Sequence, residues 1–201
     1  MYRLTIDFFQ LTLSSYACSV SFVELALDFS MIVMLTIRTA RLNDLSCIAT
    51  IQACCYEPEF VENDTAFSSK LQQATSTCWL ACVNQQVVAY LISLPVSPAT
   101  FPVLHATEFC LTPDANMLYL HDLAVHPEYR SSGAGRELIQ HAKAQARQLG
   151  FKTLCLIAVQ DSSSYWQKHG FETINPVVWN VRHKVASFGQ DACLMQLVLD
   201  A

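Results

Sequence analysis

Leu118 to Gly135, LYLHDLAVHPEYRSSGAG, is the stretch that leaves this chain the fewest choices. Leu118, Leu120, Leu123, Ala124 and Val125 form a short apolar run without helical period, stopped by Pro127. Such a run predicts a strand covered on both faces. Arg130-Ser131-Ser132-Gly133-Ala134-Gly135 follows. From Arg136 to Leu149 the apolar positions Leu138, Ile139, Ala142, Ala146 and Leu149 then fall at helical spacing. Gly150 suits the left-handed residue that closes a helix.

The composition of the loop has a chemical reading. The first backbone N–H groups of a helix lack intrahelical partners and lie at the positive end of its dipole. Gly133 and Gly135 carry no Cβ, so a phosphate can approach the backbone closely, and Arg130 and Arg136 add charge beside it. The same residues also suit an ordinary strand-to-helix turn. The loop has neither the Gly-Lys-Ser/Thr of a P-loop nor the third glycine of a dinucleotide fingerprint.

Three segments, in order, resemble the GNAT superfamily of N-acetyltransferases. Arg130 to Gly135 resembles its Arg/Gln-x-x-Gly-x-Gly/Ala loop for acetyl-coenzyme A. Leu123-Ala124-Val125-His126-Pro127-Glu128-Tyr129-Arg130 resembles its LAV-x-P-x-x-R strand end, and Tyr165 to Phe171 resembles its FYEKxGF segment. The resemblance covers roughly Leu35 to Leu199, and His121-x-Leu123-Ala124-Val125-His126 is most similar to the arylalkylamine N-acetyltransferases. It implies an α/β fold with a mixed, mostly antiparallel central sheet flanked by helices and splayed at its central strands. It also implies acetyl-coenzyme A as co-substrate, held by Leu123, Ala124, Val125, Arg130, Ser131, Ser132, Gly133, Ala134, Gly135, Arg136 and Trp166.

Acetyl transfer to an amine needs a group that takes the amine proton, donors for the carbonyl oxygen and an exit for the thiolate. Backbone N–H groups of Leu123 to Val125 are candidates for the carbonyl. His121 is the candidate base, since histidine titrates near operating pH, and strand alternation puts it on one face with Tyr119, Leu123 and Val125. In the arylalkylamine enzymes a histidine at the matching position is implicated in removing the amine proton, but those enzymes carry another histidine where this chain has Tyr119. A hydrogen-bonded core histidine, paired with Asp122 or Glu108, is the other reading of His121. Trp166 stands where the family has the tyrosine implied to protonate the thiolate, and indole is not a useful acid. Either the neighbouring Tyr165 takes that role, or the thiolate leaves without a side-chain acid, or activity is lost.

Composition narrows the class. Hydrophobic residues at 52% with only 14% charged predict an ordered core, and a net charge of −5 argues against a nucleic-acid surface. The nine cysteines include no C-x-x-C pair and no histidine at zinc-finger spacing. Most lie in apolar runs, where free cysteine acts as a small hydrophobe. These features predict a reducing, cytoplasmic setting and no structural metal.

The remaining elements fall around the central stretch. Residues 1–33 read as an extension outside a domain of 34–201, the alternative being a membrane- or partner-binding arm. No stretch there is long and clean enough to span a bilayer, so no membrane partner is expected. Leu35 to Arg38 predicts a first strand, and a helix runs on to about Tyr56, stopped by Pro58. Glu57, Glu59 and Glu62 lie in an acidic loop, read either as solvated or as an attractor for an ammonium group, before a helix capped at Asn63 or Asp64. Cys78 to Val83 and Val87 to Pro95 predict a hairpin, and 97–116 a long connection that could serve as a substrate lid. Thr153 to Val159 predicts a strand, 163–169 a short helix and Phe171 to Ile174 a strand. Val177 to Val185 and Cys193 to Leu199 predict a final strand pair.

The resemblance implies an acetyl-coenzyme A-dependent N-acetyltransferase, here expected to act on a small primary amine, monomer and homodimer remaining open. Acetylation of a protein N-terminus or lysine is the enzymatic alternative. A catalytically silent acyl-coenzyme A-binding module is the alternative from another class. A chain shortened to begin at Met34 is expected to fold and to keep full activity; loss of cooperativity on thermal melting would instead place residues 1–33 in the core.

Overall fold

A computed structural model describes residues 34–200. The expectation for residues 1–33 lies outside the described residues. The elements are β1 (Leu35–Thr39), α1 (Leu45–Cys55), α2 (Asp64–Gln73), β2 (Cys78–Val83), β3 (Gln86–Val96) and β4 (Met117–Val125), followed by α3 (Ala134–Gln148), β5 (Thr153–Ala158), α4 (Ser163–Lys168), β6 (Glu172–Thr173), α5 (Arg182–Ala186) and β7 (Cys193–Val198). The strands form one seven-stranded sheet in the order β1-β2-β3-β4-β5-β7-β6. Every neighbouring pair is antiparallel except β4 and β5. This is the mixed, mostly antiparallel architecture expected.

Each face of the sheet has its own apolar layer. On one, Leu138, Ile139, Ala142 and Ala146 of α3 pack on Leu91, Leu118 and Leu156. On the other, Ile48 and Ile51 of α1 and Phe67 and Leu71 of α2 pack on Tyr90, Ile92 and Tyr119. The apolar stripe of α3 is the 3.6-residue period read from the sequence. The Asn63 side chain caps α2, accepting from the backbone N–H of Ala66 at 3.0 Å.

Two features of β4 shape the rest. It pairs with β5 only at Leu118–Leu154 and Tyr119–Cys155, after which the strands part. Its ladder to β3 also slips: Ile92 faces Asp122 but Ser93 faces Leu120, which leaves His121 as the extra residue of a bulge. The bulge breaks the alternation expected from the sequence. His121 keeps the face of Tyr119, but Leu123 and Val125 pack on the α3 face, and Asp122 turns to the α1 side to meet Tyr56 and Tyr90.

The hairpin turn is shorter than expected, with Gln86 already in β3 and Asn84 and Gln85 alone in the turn at φ 49° and 70°. Residues 177–185 do not form a strand. Val178 N–H donates to Asn175 O, Val181 N–H to Pro176 O, and α5 begins at Arg182. The valines there favour a strand, but β7 already has β5 on one side and β6 on the other, so no ladder remains for them. The sheet partners of β7 are therefore β5 and β6, not residues 177–185. The long 97–116 connection is pinned rather than loose. Phe101 and Phe109 are buried, Lys184 Nζ donates to Ala99 O at 2.8 Å, and Leu104 N–H donates to Ser187 Oγ at 3.1 Å.

Candidate active site

The parting of β4 and β5 opens a cleft of about 760 Å³. Leu123, Ala124 and Val125 form one wall and Ile157 and Val159 the other. One end holds Arg130, Gly133, Gly135 and Arg136; the other holds Tyr56, Phe60, Glu62, Leu104, His121 and Phe188. The fold thus brings the glycine loop and His121 to one continuous opening.

Gly133 lies at φ +83° just before α3, and a Cβ there would meet nothing within 4 Å. The backbone at the start of α3 is open to a ligand, at the end of the helix that favours negative charge. Among its neighbours, Ser131 is exposed, Ser132 Oγ accepts from Ala134 N–H at 3.3 Å, and Ala134 is fully buried. Gly135 permits a close approach of another kind: an added Cβ would stand 3.0 Å from Tyr165 Oη and 3.2 Å from Val125 Cγ2. The Tyr165 hydroxyl therefore lies over the helix start within the cleft, and burial pushes its ionisation up, so it carries its proton at neutral pH. Trp166 is 8% exposed, with its ring packed edge-on against Phe171 in the α3-side layer. Of this aromatic pair, Tyr165 is the exposed member and Trp166 the buried one.

At the other end His121 is held from the side. Its Nε2 lies 2.9 Å from Glu62 Oε2, rather than beside Asp122 or Glu108, the partners named in the alternative core reading of this histidine. Lys70 Nζ donates to both oxygens of Glu62, at 2.9 and 3.1 Å, and to Ala106 O at 3.1 Å, while His105 N–H donates to Glu62 Oε1 at 3.0 Å. The side chains of Lys70, Glu62 and His121 are 0%, 3% and 2% exposed. Gln52 fixes the Glu62 backbone from α1, with Glu62 N–H donating at 2.7 Å and Gln52 Nε2 donating to Glu62 O at 3.0 Å. Asp122 accepts from Tyr56 Oη at 2.6 Å and Tyr90 Oη at 2.8 Å. Cys55 Sγ donates to Val125 O at 3.2 Å, and burial pushes its thiol up.

The acidic loop is therefore not uniformly solvated, because Glu62 is a core residue. Its partner Lys70 carries a signal in the sequence. Ala66, Phe67, Lys70, Leu71 and Ala74 make one apolar stripe, and a lysine inside such a stripe requires a buried counter-charge. Phe188, Leu104 and Cys55 reach the cleft only through tertiary packing, and no local pattern marks them.

Burial pushes the Glu62 carboxyl up, but His121 and Lys70 outweigh it and hold it at about 2. A carboxylate depressed in the fold stabilises it above the unfolded value of 4.5, and that contribution is lost as pH falls through about 2. Asp122 is raised by burial and acts in the opposite sense, contributing at low pH and losing that contribution as pH rises. Acidification from pH 5 to about 2.5 is expected to cost the native protein more stability than Glu62→Gln, measured by urea unfolding. Equal losses in the two would show that Glu62 is not held ionised.

Residues 45–171 match the acetyltransferase (GNAT) family. A 62-residue stretch is 37% identical to an amino-acid acetyltransferase of Edwardsiella ictaluri, covering 31% of this chain but only 14% of that protein. The match thus spans about a seventh of that relative's length. Ard1 from Thermoplasma volcanium superposes with a TM-score of 0.62 at 15% identity, over 83% of this chain and 99% of that one. Arabidopsis thaliana Naa50, in complex with the bisubstrate analogue CoA-Ac-MVNAL, superposes with a TM-score of 0.60 at 14% identity, over 82% and 99%. At these identities the superpositions speak for the fold alone. With the family match covering most of the described residues and the glycine loop set at the mouth of the cleft, the chain belongs to the GNAT family of acetyltransferases.

Proposed function

We propose that this protein transfers an acetyl group from acetyl-coenzyme A to a small primary amine with an apolar body. One observation carries the reading: a single cleft joins the open helix start at Gly133 to the buried His121, along the strand end of Leu123 to Val125. Acetyl-coenzyme A supplies an activated thioester. The α3 start, with Arg130 and Arg136, receives its phosphates, and the wall residues line the path of its arm. Holding amine and thioester together contributes much of the rate. The amine lone pair attacks the carbonyl carbon as His121 takes an amine proton. The C–N bond forms, the C–S bond breaks, and the departing thiolate takes its proton from solvent, the Tyr165 hydroxyl lying at the Gly135 end of the cleft.

The acceptor end supports a small amine over an amino acid. The matched relative is named for amino-acid acetylation, and an amino acid would bring a carboxylate. Tyr56, Phe60, Leu104 and Phe188 line that end. Among the described residues lining the cleft, the arginines are Arg130 and Arg136, which flank the glycine loop. Lys70 is already spent on Glu62. A carboxylate at the acceptor end would thus be desolvated without a cation.

The deciding experiment follows free thiol release with matched acceptors. Tyramine is expected to exceed tyrosine by at least about 10-fold in kcat/KM, a desolvated unpaired charge costing at least that much. His121→Gln is expected to lower kcat/KM for tyramine by about 10²–10⁴-fold at neutral pH, the deficit shrinking as pH rises and supplies free amine. Release with peptides alone would replace the small-amine reading. Tight coenzyme A binding with no release to any acceptor would leave a silent binding module.

The loop assignment has its own test. Gly133→Ala and Gly133→Asp share the strain of a side chain at positive φ, about 1–2 kcal/mol. Only the aspartate adds a like charge beside the phosphates, worth about 4 kcal/mol at ~4 Å in a partly screened site. Calorimetry is expected to show coenzyme A binding at least about 10-fold weaker for Gly133→Asp than for Gly133→Ala. Equal affinities would move the phosphates elsewhere.

A further inference from the structure

The His121 ring has two nitrogens, and the structure treats them differently. Nε2 faces Glu62 Oε2 at 2.9 Å. Nδ1 is buried and has no hydrogen-bond partner among the described residues. Lys70 Nζ donates to both oxygens of Glu62 and His105 N–H donates to Oε1, so the carboxylate is ionised and can only accept, and the hydrogen between it and His121 must sit on Nε2. A neutral ring then carries its lone pair on Nδ1. We propose that Glu62 is the positioning residue of the acceptor end: by accepting from Nε2–H it fixes the His121 tautomer, so that the unpartnered Nδ1 is the atom that takes the amine proton. This rests on the reading of His121 as base, and it assigns the orienting group to the loop before α2 rather than to β4.

The surroundings of Glu62 make the assignment directional. Its Oε1 receives Lys70 Nζ and His105 N–H, and its Oε2 receives Lys70 Nζ and His121. Lys70 gives the carboxylate a compensating charge, so the cluster with neutral His121 has no net charge. When His121 takes a proton, the extra positive charge lies 2.9 Å from Glu62 Oε2. The charged and titratable groups around the ring are Glu62 and Lys70 from the α2 side and Asp122 from β4, the last bonded to Tyr56 and Tyr90. Tyr119 and Phe188 pack against the ring at centroid distances of 5.4 and 6.4 Å. Asp122 is thus already partnered, and Glu62 is the carboxylate that contacts the imidazole.

Glu62→Gln separates orientation from packing, because the amide is isosteric but has one donor end. The Oε1 position faces His105 N–H as well as Lys70, so the amide oxygen belongs there and the NH₂ faces His121. The NH₂ would donate to Nε2 and force the hydrogen onto Nδ1, removing the lone pair from the proposed base.

The test is 15N NMR of histidine-labelled protein, with the His121 signals identified by their loss in His121→Gln. The native protein at neutral pH is expected to show His121 as the Nε2–H tautomer, and Glu62→Gln to show it as the Nδ1–H tautomer. Glu62→Gln is also expected to lose about 10²–10⁴-fold in kcat/KM at neutral pH, as for removal of the base, with coenzyme A affinity unchanged. An Nδ1–H tautomer in the native protein overturns the proposal, and that measurement stands even if Glu62→Gln does not fold. A folded Glu62→Gln with the native tautomer and rate overturns it too. The tautomer is read without turnover. Failure of every acceptor would therefore count against the acetyltransferase reading and not against the Glu62 assignment.

Discussion

The early end of the β4–β5 ladder is the constraint on which the site depends. Two parallel strands in the middle of a sheet ordinarily bond along their length. Here they pair at two positions and part, leaving the end of β4 without a neighbour on one side. Backbone groups freed in this way must find other partners or a ligand. The β4 end faces a cleft long enough for an extended molecule, with the amino terminus of α3 at its mouth. The α3 and α1/α2 layers cover the two strands from opposite faces.

The bulge at His121 adds the second condition. Strict alternation would send Asp122 to the α3 side. The extra residue instead puts two ionisable side chains in succession on one face. Each must then be satisfied from the helices above. Tyr56, at the end of α1, meets Asp122; Glu62, on the way into α2, meets His121. Lys70 balances Glu62 from within the apolar stripe of α2. A buried charge cluster of this kind is weak support for stability, since desolvation offsets much of its attraction. Its value lies in orientation: Lys70 and His105 N–H both donate to the Glu62 carboxylate, which leaves it the acceptor's role toward the imidazole.

The two aromatic residues of the YWQKHGF segment divide the work differently from what their order suggests. A short helix leaves one of two adjacent residues facing the sheet. Trp166, the larger apolar surface, takes that place against Phe171, and Tyr165 keeps its hydroxyl in the cleft above Gly135. The absence of a tyrosine at the usual position therefore does not leave the cleft without a phenol.

Much of this protein was determined locally and was readable as such. The glycine loop, the period of α3, the hairpin of β2 and β3 and the cap at Asn63 depend on backbone geometry and spacing within a few residues, which a sequence displays directly. The motif around Leu123 to Gly135 likewise placed the central strand and the helix start together. What only the tertiary structure decided is which distant residues meet. Glu62 lies 59 positions before His121, and neither looks unusual in its own segment. The bulge that turns His121 and Asp122 to one side depends on register against β3, which alternation along β4 cannot reveal. The valines of 177–185 failed as a strand for the same reason: β propensity is local, but a free ladder edge is a property of the assembled sheet, and β5 and β6 had already filled both sides of β7.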